Sequence, residues 1–184
     1  MAPSLKGKLL VATPALTDPS FRRAVVLVLE HDDSGAVGVI LNRPGAVEVE
    51  APLGAWRRFA SEPPVVFEGG PVAPDAAICV ARTWPGERAA HWEAVLGTVG
   101  VLDLSIDPDL VAATVAAIRV FAGYAGWGPA QLEAEVDEAA WWVIDAAEGD
   151  ALSPEPDDLW AEVLRRQGGE LALFAFYPPD PALN

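Results

Sequence analysis

The sequence predicts an α+β fold on a mainly antiparallel sheet, and three observations carry that expectation. Strand-like apolar runs dominate the chain up to about residue 105. Two of them flank the short loop Asp32-Asp33-Ser34-Gly35, the signature of a hairpin and so of antiparallel pairing. After them, helical and strand-like segments are mixed.

Taken in order, Leu9–Ala12 reads as a short strand, and Asp18, Pro19 and Ser20 form a turn. Ala24–Glu30 is β-branched and almost wholly apolar, which predicts a strand covered on both faces. Ala36–Leu41 completes the hairpin. Asn42-Arg43-Pro44-Gly45 ends it, because Pro cannot donate to a ladder. Leu53–Ala60 reads as a short amphipathic helix with Leu53, Trp56 and Ala60 on one face, stopped by Pro63-Pro64. Strands follow at Val65–Phe67 and Ala76–Ala81, and Trp92–Asp103 holds one or two more around Gly97 and Gly100.

Asp107-Pro108-Asp109 carries a helix start, an N-cap acid followed by Pro at the first helical position. Val111, Val115 and Ile118 recur at i, i+4 and i+7, predicting a helix toward Arg119; Val120–Tyr124 is either its end or a new strand. Gly123, Gly126 and Gly128 mark a turn-rich connection. Pro129–Glu135 reads as a helix, Ala140–Asp145 as a strand, Glu148–Asp158 as an exposed acidic loop, and Trp160–Arg166 as a helix stopped by Gly168-Gly169. Leu171–Tyr177 is strand or buried helix, and residues 178–184 form an irregular tail. No repeat at a solenoid period is visible, and residues 1–184 read as a single domain.

Composition removes several function classes. Of the 184 residues, 52 % are hydrophobic and 21 % charged, enough apolar material for a sizeable core. One Cys excludes an internal disulfide framework. One Cys with two His cannot build a Cys/His zinc site within one chain. Acids outnumber bases 27 to 12, and a net charge of −15 repels a phosphate backbone or an anionic membrane. Arg22-Arg23, Arg57-Arg58 and Arg165-Arg166 are isolated basic pairs, so direct nucleic-acid binding is disfavoured. The apolar run after Lys8 ends at Thr13-Pro14, short of the roughly 7–15 residues of a signal core. Ala24–Leu29 falls far below the roughly 20 residues that span a bilayer. These features predict a cytoplasmic protein without membrane association, and the lone Cys79 fits a reducing compartment.

Several polar motifs carry chemistry in principle. Glu30-His31-Asp32-Asp33 sets a His among acids that would raise its pKa, as a general base needs. Successive strand residues face opposite ways, however, which favours a strand end and a solvated turn. Asn42-Arg43-Pro44 pairs an amide with a guanidinium fork suited to a carboxylate or phosphate; alternatively Arg43 pairs with Asp18 or Glu68 and pins the hairpin end. Glu68-Gly69-Gly70-Pro71 offers backbone amides for an anion nest, or a bulge or tight turn. No Lys follows, so it is not a P-loop. Tyr124 and Trp127 either stack on a ring ligand or plug the core, and Gln131 and Glu135 share a helix face. No Ser occupies a Gly-x-Ser-x-Gly elbow. Cys79 reads as a buried, inert thiol, and His91 sits in no recognisable arrangement. The seven Trp residues are dispersed, which favours packing over one aromatic platform.

Together these segments resemble the AlgH/YqgE family of bacterial proteins. The opening run Gly7-Lys8-Leu9-Leu10-Val11-Ala12-Thr13-Pro14, then Asp18-Pro19-Ser20-Phe21-Arg22-Arg23, carries the resemblance. So do Glu30 to Pro44, Gly69-Gly70-Pro71-Val72, Gly123-Tyr124-Ala125-Gly126-Trp127, Gln131-Leu132-Glu133 and Leu164-Arg165-Arg166-Gln167-Gly168-Gly169. One departure stands out: Ala130 replaces the Gly that the family usually places before Gln-Leu-Glu. The resemblance implies a bifurcated sheet curled into a pseudo-barrel with flanking helices. It supplies no catalytic residue set and no cofactor; some members are labelled transcriptional regulators through a link to alginate production.

The leading expectation is a non-catalytic regulatory or interaction protein acting through a protein partner or a small ligand, with no cofactor or metal. Its candidate ligand residues are Asp18, Arg22, Asn42, Arg43, Gly69, Gly70 and Pro71. The alternative is an enzyme of unknown class, with Arg43 as anion clamp, the Gly69 and Gly70 amides as an oxyanion or phosphate nest, and His31 or Glu68 as base. A third expectation, direct DNA binding, requires a contiguous basic face.

Overall fold

The hairpin of the sequence is the centre of the molecule. In a computed structural model describing residues 3–179, β1 (Lys8–Ala12), β2 (Val25–Asp32) and β3 (Gly35–Ile40) pair antiparallel in chain order. Their residues are buried alternately on two faces. Leu9, Val11, Val25 and Leu27 join one apolar cluster, whereas Leu10, Ala12, Val26 and Val28 join another. This is the two-faced burial that the unbroken apolar run of β2 predicts. The hairpin turn is tighter than its four loop residues suggest, because Asp32 pairs with Gly35.

The sheet then forks. β4 (Pro44–Glu48) pairs with β5 (Val65–Glu68), β6 (Val72–Thr83) and β8 (Val99–Leu102) run antiparallel, and β7 (Trp92–Leu96) edges β8. The fork is β9 (Val115–Trp127). One side of it pairs with β6; the other takes β5 in parallel at Phe121–Ala122 and β3 at Ala125–Trp127. β10 (Trp141–Asp145) closes the far edge against β1, giving the order β10-β1-β2-β3-β9-β6-β8-β7. The curled, mainly antiparallel sheet forms a half-barrel with helices at its flanks.

Among the described residues four α-helices complete the fold: α1 (Glu50–Leu53), α2 (Gln131–Asp137), α3 (Leu159–Gln167) and α4 (Gly169–Phe174). The buried face of α3, with Trp160, Val163 and Leu164, fills the concave side against Leu9, Leu27, Phe67 and Phe121. Leu132 of α2 covers the opposite face beside Trp127 and Trp141. A third cluster, including Trp56, Cys79, Leu102, Val111 and Ile118, packs the β6–β8 branch. No helix among the described residues is long and apolar enough to cross a membrane.

The helix expected from Asp107 to Arg119 does not form. Asp107 does cap a start, accepting the Asp109 amide at 2.9 Å, but only a 3-10 turn over Pro108–Val111 follows. Val111, Val115 and Ile118 are buried together as their spacing predicts, on a turn and a strand rather than a helix. Cross-strand pairing with β6 decides the outcome, helped by the stiff β-branched side chains of Val115, Ile118 and Val120. The glycine-rich connection at residues 123–128 is likewise strand, since β9 runs on to Trp127.

Other segments differ from their expectation for local reasons. Pro44 opens β4 instead of only ending β3, a place where its missing N–H costs nothing. Leu53–Ala60 becomes the end of α1 and a 3-10 turn over Gly54–Phe59. Glu148–Asp158 is not an exposed loop, because Asp150, Ala151, Leu152, Ser153 and Pro156 are buried. Leu171–Phe174 is helical in α4, and Gly168 separates α3 from α4 at φ +71. Of the tail, Pro178 and Pro179 are described; residues 180–184 lie outside the described residues.

Candidate functional site

Most of the polar motifs converge on the loop between β1 and β2. Asp18 shapes it: its Oδ1 accepts the Ser20 amide at 2.8 Å, and its carbonyl accepts the Phe21 and Arg22 amides. The loop leaves through Arg23 at φ +55. Asn42 then locks it to the hairpin, accepting the Val25 amide at 2.9 Å through Oδ1 and donating Nδ2 to the Arg23 carbonyl at 2.8 Å. Both ends of this amide are therefore spent on backbone.

Arg43 fastens the same loop from the side. Its Nη1 donates to the carbonyls of Ser20 at 3.2 Å and Pro19 at 3.4 Å, and its Nη2 to that of Arg22 at 2.8 Å. The expected ion pair with Asp18 or Glu68 does not form; carbonyls of the loop take its place. Burial pushes the Arg43 guanidinium below its ordinary value, while the charge of Glu68 acts the other way. Between them opens a cleft of about 140 Å³, lined by Ser20, Ile40, Arg43, Glu68, Gly70 and Pro71.

The glycines build the wall of that cleft without forming an amide nest. The Gly69 amide donates to Ala122 at 2.9 Å, and the Gly69 carbonyl accepts Ile40 N–H at 2.9 Å. Gly69 thus belongs to the ladder at the fork. Gly70 sits at φ +154, and a Cβ there would lie 2.2 Å from the Tyr124 carbonyl carbon. Glycine is needed for close backbone approach, not to bare two adjacent donors.

Of the candidate ligand residues, Arg43, Gly70 and Pro71 share the cleft. Asp18, Asn42 and Gly69 support it from behind. Arg22 turns to the other side of the loop, where its Nη2 donates to the Pro179 carbonyl. There Arg22, Arg23 and Trp160 face the segment Tyr177–Pro179 across a second pocket of about 140 Å³. Sequence reasoning missed this pocket; its signal was the Tyr177-Pro178-Pro179 run, where the final apolar segment meets the stretch read as an irregular tail. A more open groove of about 610 Å³ lies between Cys79, His91, Trp92 and Asp103.

The remaining candidates for chemistry are committed elsewhere. His31 Nδ1 accepts the Leu5 amide at 2.9 Å, so Nε2 carries the proton and donates to Glu133 Oε1 at 2.9 Å. With both ring nitrogens engaged, His31 is no free base, and it does not line the Arg43 cleft. Its own backbone amide and His31 together hold the Glu133 carboxyl below the usual range. Trp127 and Trp141 each donate an indole N–H to Glu135 Oε2 at 2.9 Å, and Gln131 donates to Glu135 Oε1. The aromatic pair of the glycine-rich run is thus not a stacking platform on the Trp127 side: Trp127 is buried and packed edge-on to Trp141. Arg58 pairs with Asp109 and Arg166 with Asp150, so these two basic pairs are each tied to an acid. Among the described residues no three His, Cys, Asp or Glu side chains are grouped to hold a metal ion.

Comparison with known proteins agrees with this architecture. The AlgH-like family profile matches residues 9–172. A UPF0301 protein of Streptomyces coelicolor is 56 % identical over 185 residues, covering 98 % of this chain and 96 % of the relative. One of Thermobifida fusca is 46 % identical over 190 residues, covering 98 % and 96 %. Among solved structures, protein DIP2367 of Corynebacterium diphtheriae superposes with a TM-score of 0.90 at 29 % identity, over 96 % of this chain and 94 % of that one. The AlgH protein of Pseudomonas aeruginosa superposes with a TM-score of 0.71 at 26 % identity, over 97 % of each chain. The names of these relatives state a family and no activity. Matched along nearly its whole length, the chain belongs to the AlgH-like family.

Proposed function

We propose that this protein is a non-catalytic regulatory or interaction protein that acts by binding a partner segment or small ligand in the Arg43 cleft. The observation that carries the reading is the Arg43–Glu68 arrangement. Among the described residues the half-buried guanidinium hydrogen-bonds only backbone carbonyls, and it faces a carboxylate across a cleft of about 140 Å³ without closing an ion pair. Such a cleft is lined by both a donor and an acceptor, which suits a small dipolar group: a zwitterion, or one peptide unit of a partner. The chain's net charge of −15 disfavours nucleic acid as that partner. Cytoplasmic action fits a chain whose single Cys is buried and free.

The test is a thermal-shift screen of the purified protein against zwitterionic, carboxylate and nucleotide metabolites, repeated with Arg43→Ala and Glu68→Gln. A ligand at about 100 times its Kd adds roughly 2.7 kcal/mol to stability. A hit lost in both variants supports the cleft. A hit that both variants retain, or no hit from the screen or from a pull-down with a peptide library, removes this reading. Glu68 is exposed and its side chain carries no hydrogen bond among the described residues, so Glu68→Gln reports on the cleft even where Arg43→Ala loosens the loop.

A further inference from the structure

The side of the β1–β2 loop away from the Arg43 cleft already holds a peptide. Tyr177–Pro179 crosses it and is gripped by its carbonyls: Arg23 Nη1 donates to Tyr177 O at 2.8 Å and Arg22 Nη2 to Pro179 O. The grip rests on a rigid base. Trp160 is 2 % exposed, its Nε1 donates to Ala12 O at 2.9 Å, and the Arg23 guanidinium lies 4.0 Å from the Trp160 ring centroid. Thr13, Pro14, Leu16 and Thr17 line the other wall, leaving a pocket of about 140 Å³ under the segment.

Three features distinguish this contact from an ordinary packed terminus. Proline lacks an N–H, and that of Tyr177 is spent on the Phe174 carbonyl, so along Tyr177–Pro179 the carbonyls are the main-chain groups left to recognise, and the two arginines donate to those of Tyr177 and Pro179. The Tyr177 ring lines the pocket and is 42 % exposed, whereas Phe176 points out at 78 %, so recognition falls on the backbone of the segment and on the Tyr177 ring, not on Phe176. Among the described residues neither Arg22 nor Arg23 has a carboxylate in ion-pair range, in a chain where acids outnumber bases 27 to 12. Two such guanidiniums favour an acidic peptide.

We infer that this groove is a recognition site for an extended aromatic-Pro-Pro peptide bearing an acidic residue, occupied in cis by the chain's own Tyr177–Pro179 and able to take the same kind of segment from a partner protein. An extended Pro-rich peptide suits such a groove because it loses little conformational freedom on binding. The chain's own segment follows α4 directly, and a segment on so short a tether competes at an effective concentration in the millimolar range. A partner peptide therefore binds well only when the cis segment is loosened. This site is separate from the Arg43 cleft, and its test does not depend on that reading.

The experiment titrates full-length protein into a fluorescein-labelled synthetic peptide, Phe-Tyr-Pro-Pro-Asp-Pro-Ala-Leu, and reads fluorescence anisotropy. The double variant Pro178→Gly/Pro179→Gly loosens the cis segment and leaves Arg22, Arg23 and Trp160 unchanged. It should bind the peptide at least about tenfold more tightly than the unaltered chain. Adding Arg22→Gln and Arg23→Gln should abolish the gain, as should replacing both prolines of the peptide by alanine. Equal affinity for the unaltered and loosened chains, or a gain that survives the arginine or peptide changes, overturns the inference. Circular dichroism melts of each variant confirm the fold before titration, and Arg22→Gln alone, which keeps Arg23 on Trp160, serves where the multiple variant unfolds.

Discussion

Arg119 is buried to 2 % exposure, with its guanidinium carbon 4.2 Å from the ring centroid of Phe67. It donates to the carbonyls of Glu62 at 2.6 Å, Ser153 at 3.0 Å and Ala151 at 3.4 Å, while its Nε has no partner. One side chain from β9 thus ties down the segment before β5 and the buried 150–153 turn. Burial lowers its pKa to about 10, which still leaves it charged at neutral pH. Arg119→Met removes the donors from three carbonyls and should cost about 2–4 kcal/mol. Urea unfolding checks this as a lower midpoint at unchanged slope. Arg119→Lys keeps the charge but loses the planar fork, and should fall between the two.

Gly70 makes the fork of the sheet possible. At φ +154, with Tyr124 backbone atoms 2.2 Å from where a Cβ would sit, it cannot be replaced without moving β9. Gly70→Ala should destabilise by about 2–3 kcal/mol, combining backbone strain with the displaced strand. The same substitution narrows the Arg43 cleft, so any ligand found there should bind more weakly in the variant. Gly54→Ala, which meets nothing within 4 Å and has helical φ, is the control and should be neutral or slightly stabilising.

Ala130 stands at the N-cap of α2 in the left-handed region, φ +59, at the position where the family resemblance leads one to expect glycine. The departure does not move the helix start away from Gln131; Ala130 bears it as backbone strain. An L-residue there costs roughly 1–2 kcal/mol, part of which glycine returns as lost chain entropy. Ala130→Gly should therefore stabilise by about 0.5–1 kcal/mol, read as a rise in the urea midpoint.

Cys79 is fully buried in β6 between β8 and β9, and burial pushes its thiol well above the ordinary value near 9. The folded protein keeps the thiol neutral while the unfolded chain ionises it. The sign follows: this contribution to stability is fully present below about pH 8.5 and is lost as pH climbs toward the folded value. Between about pH 9 and 10.5 the unaltered protein should lose up to about 1.4 kcal/mol per pH unit more than Cys79→Ala does. Urea titrations of both proteins at pH 7.5, 9 and 10.5 measure the difference. Iodoacetamide should leave the native thiol unmodified at pH 8 and label it in urea.

Much of the fold was legible in short-range pattern. The β2–β3 hairpin, the two-faced burial of β2, the α3 helix and its Gly168 stop all follow from residues close in sequence. So did the Gln131–Glu135 face of α2, although its purpose was not: Glu135 gathers the indoles of Trp127 and Trp141, which lie on β9 and β10. The candidate site was legible in part. Arg43, Gly70 and Pro71 meet in one cleft, but the use of Asn42 and Gly69 on backbone and the turn of Arg22 toward Pro179 depend on the path of the chain.

What the sequence determined by itself were the contributions that neighbours in the chain decide: which residues must be buried, where turns and caps can form, the acidic surface and the family. What only the tertiary structure decided were the outcomes of competition between distant segments. Val111, Val115 and Ile118 satisfy helical spacing, yet β6 offers β9 a continuous ladder, and paired backbone groups outweigh a weak intrinsic preference. Likewise, acidic residues 148–158 look solvated until the buried Arg119 and the exposed Arg166 supply donors from other elements. Propensity is worth a few tenths of a kcal/mol per residue, whereas an unmet buried polar group costs about 1–3, so the partner across the fold has the final say.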